Sequence, residues 1–238
     1  MTDYTAPCPH DPIETIAPDI FMVRGAMQMN PIVRISRNMG IVRHDGDLTL
    51  VNPIRLTPQG EDALRSLGTV KRLMRLGSFH GIDDQYYVDT FGAEMWRQEG
   101  GNTYPDPSPH TPLTPQTVLP FPDAELFFFD KALQPECALL IRRDGGILMT
   151  CDAIQHYGDF RHTTWFMRWI MPLMGFPKTT ILGPLWLKFL TPEGDSLEDE
   201  FRQLLGLQFD KLLSAHGSLL ETNAHAAVEA AIDKAFQD

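Results

Sequence analysis

The chain has 238 residues, 43% of them hydrophobic and 21% charged, which is enough to bury a sizeable core. That balance excludes a disordered chain, a coiled coil and a collagen-like fibre. With 31 Asp+Glu against 20 Lys+Arg the net charge is −11. Such a surface repels phosphate backbones, so no nucleic-acid partner is expected, while its carboxylates suit a small metal site. Cys8, Cys137 and Cys151 are too few and too scattered for a disulfide framework, and they point to a reducing, cytoplasmic setting. The first residues lack the basic and apolar regions of a signal peptide, and no apolar run is long enough to predict a membrane span.

Ile20 to Arg24 opens a series of short predicted strands. Ile32 to Ser36 and Met39 to Arg43 follow, split by the polar pair Arg37-Asn38. His44-Asp45-Gly46-Asp47 reads as a hairpin turn, because Asp-Gly suits positive φ, and Leu48 to Val51 returns until Asn52-Pro53 stops it. These four runs predict an antiparallel meander. Thr57 as N-cap and Pro58 at the first helical position start a helix that runs to Leu67 and ends at Gly68. Val70 to Leu76 is then a strand, which makes a β–α–β unit with parallel pairing. It runs into the loop Gly77 to Asp84, and chemistry gathers beyond strand C-termini in sheets flanked by helices.

Residues 100–122 are rich in Pro, Gly and Thr and read as a long loop. Glu125 to Phe129 is an apolar strand. Cys137 to Arg143 and Gly146 to Thr150 flank a second hairpin signal at Asp144-Gly145-Gly146 and lead to Cys151-Asp152. Thr164 to Leu190 holds three of the four Trp, and Pro172, Pro177 and Pro184 forbid one continuous helix there. Packing into a core or lid is the first reading of its aromatics; a dimer interface, an apolar substrate mouth and monotopic membrane contact follow in that order. An amphipathic helix over Leu197 to Leu205, a strand over Phe209 to Ser214 and an Ala-rich helix over Asn223 to Phe236 close the chain.

Polar residues recur just past strand ends: His80 with Asp83 and Asp84, then Asp152, then His216-Gly217. Imidazole and carboxylate in such places are what a Zn, Fe or Mn site requires. Asp83 also stands where it would cap a helix, and His216 is equally open to a role as a buried, backbone-bonded histidine. His156 and His162 read as surface-loop residues, with Tyr157 a candidate donor, and Cys137 and Cys151 as small buried hydrophobes. No P-loop, G-x-G-x-x-G or G-x-S-x-G motif is present.

In residues and in order, the chain resembles the metallo-β-lactamase superfamily. A meander ends at Asn52-Pro53; a helix and a strand lead to the His80 loop; a hairpin leads to Thr150-Cys151-Asp152, similar to the family's strand ending in a bridging Asp; and the last strand leads to Ser214-Ala215-His216-Gly217, similar to its final His-Gly. The resemblance spans roughly Ile16 to Ala231 apart from 164–190, and is closest to a branch with an eroded metal-binding motif. It implies an α/β (α+β) fold, a four-layer αββα sandwich in one domain over 1–238 with an aromatic-rich insert at 164–190. It also implies a metal-dependent hydrolase acting on an ester, amide or phosphoester, with His80, Asp152 and His216 as ligands of one Zn, Fe or Mn ion and Asp83 or Asp84 as a further ligand or the proton acceptor. Against the family's His-x-His-x-Asp-His loop, Ser78 replaces the first His, Ile82 falls at the Asp and Asp83 at the last His, and the middle His has only Asp130 nearby. A non-catalytic descendant, without metal and with the aromatic insert forming a homodimer or ligand interface, is therefore the alternative.

Overall fold

The computed structural model describes residues 4–237. Its first sheet has seven strands in sequence order: β1 (Glu14–Ala17), β2 (Ile20–Asn30), β3 (Val33–His44), β4 (Asp47–Val51), β5 (Thr69–Arg75), β6 (Glu94–Arg97) and β7 (Thr111–Pro112). β1 to β4 run antiparallel, as the meander predicts, and β4 to β7 run parallel. Helix α1 (Pro58–Leu67) makes the β4–β5 crossover, with the Thr57 hydroxyl accepting from Gly60 N, and α2 (Asp84–Phe91) makes the next crossover. The second sheet is ordered β13-β10-β9-β8, from β8 (Ala124–Phe128), β9 (Cys137–Ile141), β10 (Ile147–Thr150) and β13 (Lys211–Ser214). β10 and β13 are parallel, which brings the ends Thr150 and Ser214 side by side.

Alternation along the strands sorts the core into layers. Ile20, Met22, Val42 and Met74 of the first sheet meet Leu139, Ile141, Ile147, Met149 and Leu213 of the second. The odd-facing partners Phe21, Val23, Ile41 and Leu73 turn outward onto Leu64 of α1 and Tyr87 of α2. Ala138, Leu140, Leu148 and Leu212 turn the other way, onto α4 (Pro184–Leu190), α5 (Glu198–Leu204) and α6 (Ala224–Ala235). The result is helix, sheet, sheet, helix, as expected.

Two expectations need correction. Arg37-Asn38 does not split a strand: β3 runs unbroken through both residues. Both are buried, and the fold supplies acceptors for their donors, with Asn38 Nδ2 donating to Ser214 O at 2.8 Å and Arg37 Nη2 to Pro53 O at 3.4 Å. The loop after Asp152 is also more ordered than expected. β11 (Ile154–His156) pairs antiparallel with β12 (Thr180–Leu182), a contact across 24 or more residues that no local pattern reveals.

The segment 164–190 divides in two. Helix α3 (Met167–Ile170) runs directly into a 3₁₀ turn, Met171–Met174, and stops at Gly175. The second half, β12 and α4, belongs to the core: Trp186 is buried against Phe129 and Phe201. Packing thus accounts for Trp186 but not for Trp165, Trp169 and Phe189, which are exposed. Among the described residues no helix is long and apolar enough to cross a membrane.

Candidate functional site

Asn52 draws three strand ends together. It sits at positive φ (49°), which Asn tolerates, and its backbone N donates to Met74 O at 2.9 Å. Its side chain donates to Thr150 O (3.1 Å) and accepts from Leu76 N (3.0 Å). The stop after β4 is therefore also the clamp that sets the His80 loop beside the Asp152 loop.

Three of the five sequence-predicted site residues meet. His80 Nε2 lies 3.2 Å from Asp152 Oδ2, His216 Nε2 lies 3.1 Å from Asp152 Oδ1, and the two Nε2 atoms are 3.1 Å apart. His216 is anchored from behind by β3. Its Nδ1 must donate to the Ser36 carbonyl at 2.7 Å, since a carbonyl only accepts, while Ser36 Oγ accepts from Gly217 N at 2.9 Å. Asn38 holds the same loop through Ser214 O and Gly217 O. With Nδ1 donating to Ser36 O, the His216 Nε2 and the Asp152 carboxylate can share their contact only through a positive centre between them, because an unprotonated Nε2 and a carboxylate both offer lone pairs. The convergence is satisfied by a proton or by a cation.

Burial, opposed by the Asp152 carboxylate, holds His80 down to about 4. Burial pushes Asp152 up, but the two imidazoles outweigh it and hold the carboxylate well below its usual range. His80 is therefore neutral at pH 7 and Asp152 charged. Between about pH 4 and the ordinary value of 6.5 the unfolded chain binds a proton at His80 that the folded chain refuses, so this group costs stability as the pH falls through that window. Relative to His80→Gln, the metal-free protein is expected to lose up to about 3 kcal/mol more between pH 6.5 and 4, read from urea unfolding at each pH. An equal slope in the two proteins would show that His80 is protonated in the folded state.

Cys151 is buried, and its thiol lies 3.7 Å from Asp152 Oδ2. His80, Cys151 and Asp152 form a group with ligand atoms close enough to hold a metal ion. Burial and the neighbouring Asp152 charge push the Cys151 thiol up, so it is a reluctant donor beside the two imidazoles.

Asp83 and Asp84 are engaged elsewhere. Asp83 accepts from the Thr5 hydroxyl (2.8 Å) and Arg55 N (3.1 Å), with Arg37 at 3.9 Å. It occupies the N-cap position of α2 without capping it. Asp84 is fully buried and faces Arg75 at 3.4 Å; burial raises its carboxyl to about 6 against the pull of Arg75. Asp130 is exposed. Of the loop residues left open, Tyr157 is buried and its hydroxyl donates to Gln155 Oε1. His156 Nδ1 meets Thr180 Oγ1 at 2.9 Å, and His162 lies 3.1 Å from Asp11.

Sequence reasoning missed Glu136. This fully buried acid accepts from Ala153 N (2.6 Å) and from Trp186 Nε1 (2.8 Å), which ties the turn after Asp152 to the outer helices. Burial, reinforced by the Asp152 charge, pushes its carboxyl well up. An acid directly before an apolar strand was its only trace in the sequence. Gly217 is as constrained: φ is +79°, and a Cβ there would stand 2.0 Å from His156 O. Gly217→Ala is expected to cost at least about 1–3 kcal/mol and to displace His216, which denaturation and metal-binding measurements would both register.

No family model matches the chain, and no curated protein matches it. Solved structures do. The DIM-1 metallo-β-lactamase superposes over 96% of this chain and 99% of its own, with a TM-score of 0.67 at 12% identity. The fold is that of the metallo-β-lactamases. A metallo-β-lactamase from Erythrobacter litoralis superposes over 93% of this chain and 90% of its own, with a TM-score of 0.60 at 11% identity. Identities this low carry the metallo-β-lactamase fold and nothing of substrate.

Proposed function

We propose that this chain is a metal-dependent hydrolase in which His80, Asp152 and His216 hold a single Zn, Fe or Mn ion, with an ester, amide or phosphoester as substrate. The observation that carries the reading is the convergence of His216 Nε2, His80 Nε2 and both Asp152 oxygens within 3.2 Å, with the His216 proton committed to Ser36 O. Two imidazoles and a carboxylate suit a borderline divalent ion, and the carbonyl behind His216 is the kind of partner that orients a ligand histidine. A metal bound there would supply Lewis acidity and an acidified water.

The chain's own residues prepare that chemistry. Burial keeps His80 neutral, the imidazoles keep Asp152 ionised, and Glu136 and Asn52 fix the turns that present Asp152 and His80. Asp83 and Asp84 act indirectly in this reading, binding the His80 loop to Arg55 and Arg75. The reading takes 1–238 as one domain.

Elemental analysis of untagged protein tests it. About one equivalent of Zn, Fe or Mn per chain, with hydrolysis of an ester or phosphoester lost on chelation, is the expected result. No metal after reconstitution would overturn it in favour of a binding protein with a vacant site.

A further inference from the structure

Among the described residues eleven large hydrophobic side chains are substantially exposed, and seven lie from Trp165 to Phe189. Trp165 (72% exposed), Trp169 (78%) and Leu173 (89%) recur at four-residue spacing through the turn before α3, α3 itself and its 3₁₀ continuation, with Ile170 and Met174 next to them in sequence. The opposite side is anchored: Met171 is buried with Tyr157, Phe160 and Ile181. Two more of the eleven, Met29 and Ile32, stand at the tip of the β2–β3 hairpin. That tip is fastened to the same segment, since Thr164 Oγ1 accepts from Arg34 N at 2.8 Å and Thr164 N donates to Arg34 O at 3.1 Å. Contiguous apolar surface of this kind marks an interaction site.

Charge selects the partner. Residues 160–192 contain Arg161, Arg168, Lys178 and Lys188 and no Asp or Glu, which leaves −15 on the rest of a chain whose net charge is −11. Arg161 is paired with Asp11, but Arg168, Lys178 and Lys188 are exposed, and among the described residues no carboxylate pairs with them. A second copy docked isologously through this acid-free segment would bring cations toward cations. An anionic bilayer answers both features, because indole rings partition to the interfacial region and each cation near the surface contributes about 1 kcal/mol. The −15 carried by the rest of the chain is repelled by the same lipid, which turns the basic segment toward it.

We propose that the exposed surface of residues 165–189, with Trp165, Trp169 and Leu173 as its apolar part and Arg168, Lys178 and Lys188 as its cations, seats the protein peripherally on anionic lipid. The inference stands whether or not a metal binds at His80, Asp152 and His216.

Co-sedimentation of the full chain with phosphatidylcholine vesicles, with and without phosphatidylserine, tests it. Binding to the phosphatidylserine vesicles alone, weakened by salt, is the expected result. Because Trp96 and Trp186 are buried, a blue shift on binding reports Trp165 and Trp169. Each of R168Q, K178Q and K188Q is expected to weaken partition about fivefold. The exposed double variant W165S/W169S should abolish it while circular dichroism stays native. Absence of binding to either vesicle overturns the proposal, and so does equal binding to both. A dimer that dissociates in W165S/W169S without any vesicle binding assigns the face to self-association instead.

Discussion

Asp152→Asn is expected to weaken metal binding by well over 100-fold. Partners behind a ligand are commonly worth 10–100-fold, and in the proposed site Asp152 would itself be a ligand. Its two oxygens face His80 Nε2 and His216 Nε2, at 3.2 and 3.1 Å. The amide would keep the shape and remove the charge. His216→Ala should do the same by a different route, because it deletes the nitrogen whose lone pair Ser36 O aims at Asp152. Asp83→Asn and Asp84→Asn serve as controls: both carboxylates are taken up by arginines and backbone, so metal content should persist even if stability falls. Elemental analysis of the four variants decides the matter. Full metal content in Asp152→Asn, or loss confined to the Asp83 and Asp84 variants, would move the site along the His80 loop.

Trp186→Ala is expected to cost about 3–5 kcal/mol, the usual result of emptying a buried aromatic site. Trp186 is 1% exposed, and its ring centroid lies 5.3 Å from Phe129 and 5.7 Å from Phe201. It also supplies the donor for Glu136 Oε2, so the loss reaches the turn at Ala153 beside Asp152. Trp186→Phe separates the two effects. It keeps most of the packing and leaves the buried Glu136 Oε2 without its donor, at a cost of about 1–3 kcal/mol. Urea unfolding measures both variants. If Trp186→Phe is neutral, water or a shifted donor satisfies Glu136 and the link between the outer helices and Asp152 is not energetic.

Much of the architecture was legible because it rests on local rules. The hairpin at Asp45-Gly46 needs positive φ at two successive positions, and both residues adopt it, at 52° and 82°. Thr57-Pro58 supplies an N-cap and a proline at the first helical position, and the apolar run 137–141 alternates between the two cores as a doubly covered strand must. The order of His80, Asp152 and His216 after strand ends was equally visible, since chain order and strand polarity place loops on one edge before any packing is known.

Packing decided the rest. Arg37-Asn38 looked like a break because a polar pair inside an apolar run usually faces water; only the fold brings Pro53 and Ser214 to meet it, 16 and 176 residues away. Glu136 was invisible for the same reason, its partners being Ala153 and Trp186. The aromatic segment read as a single feature, yet the fold buried Trp186 and left Trp165 and Trp169 outside. Asp83 and Asp84 stood beside His80 as candidates for a further ligand or the proton acceptor, and only the fold surrounds them with arginines while Asp152 meets imidazoles. Residue type and turn chemistry act over a few positions and could be read from the chain. Which buried charge meets which partner depends on contacts between distant segments, and those exist only once the two sheets have closed on each other.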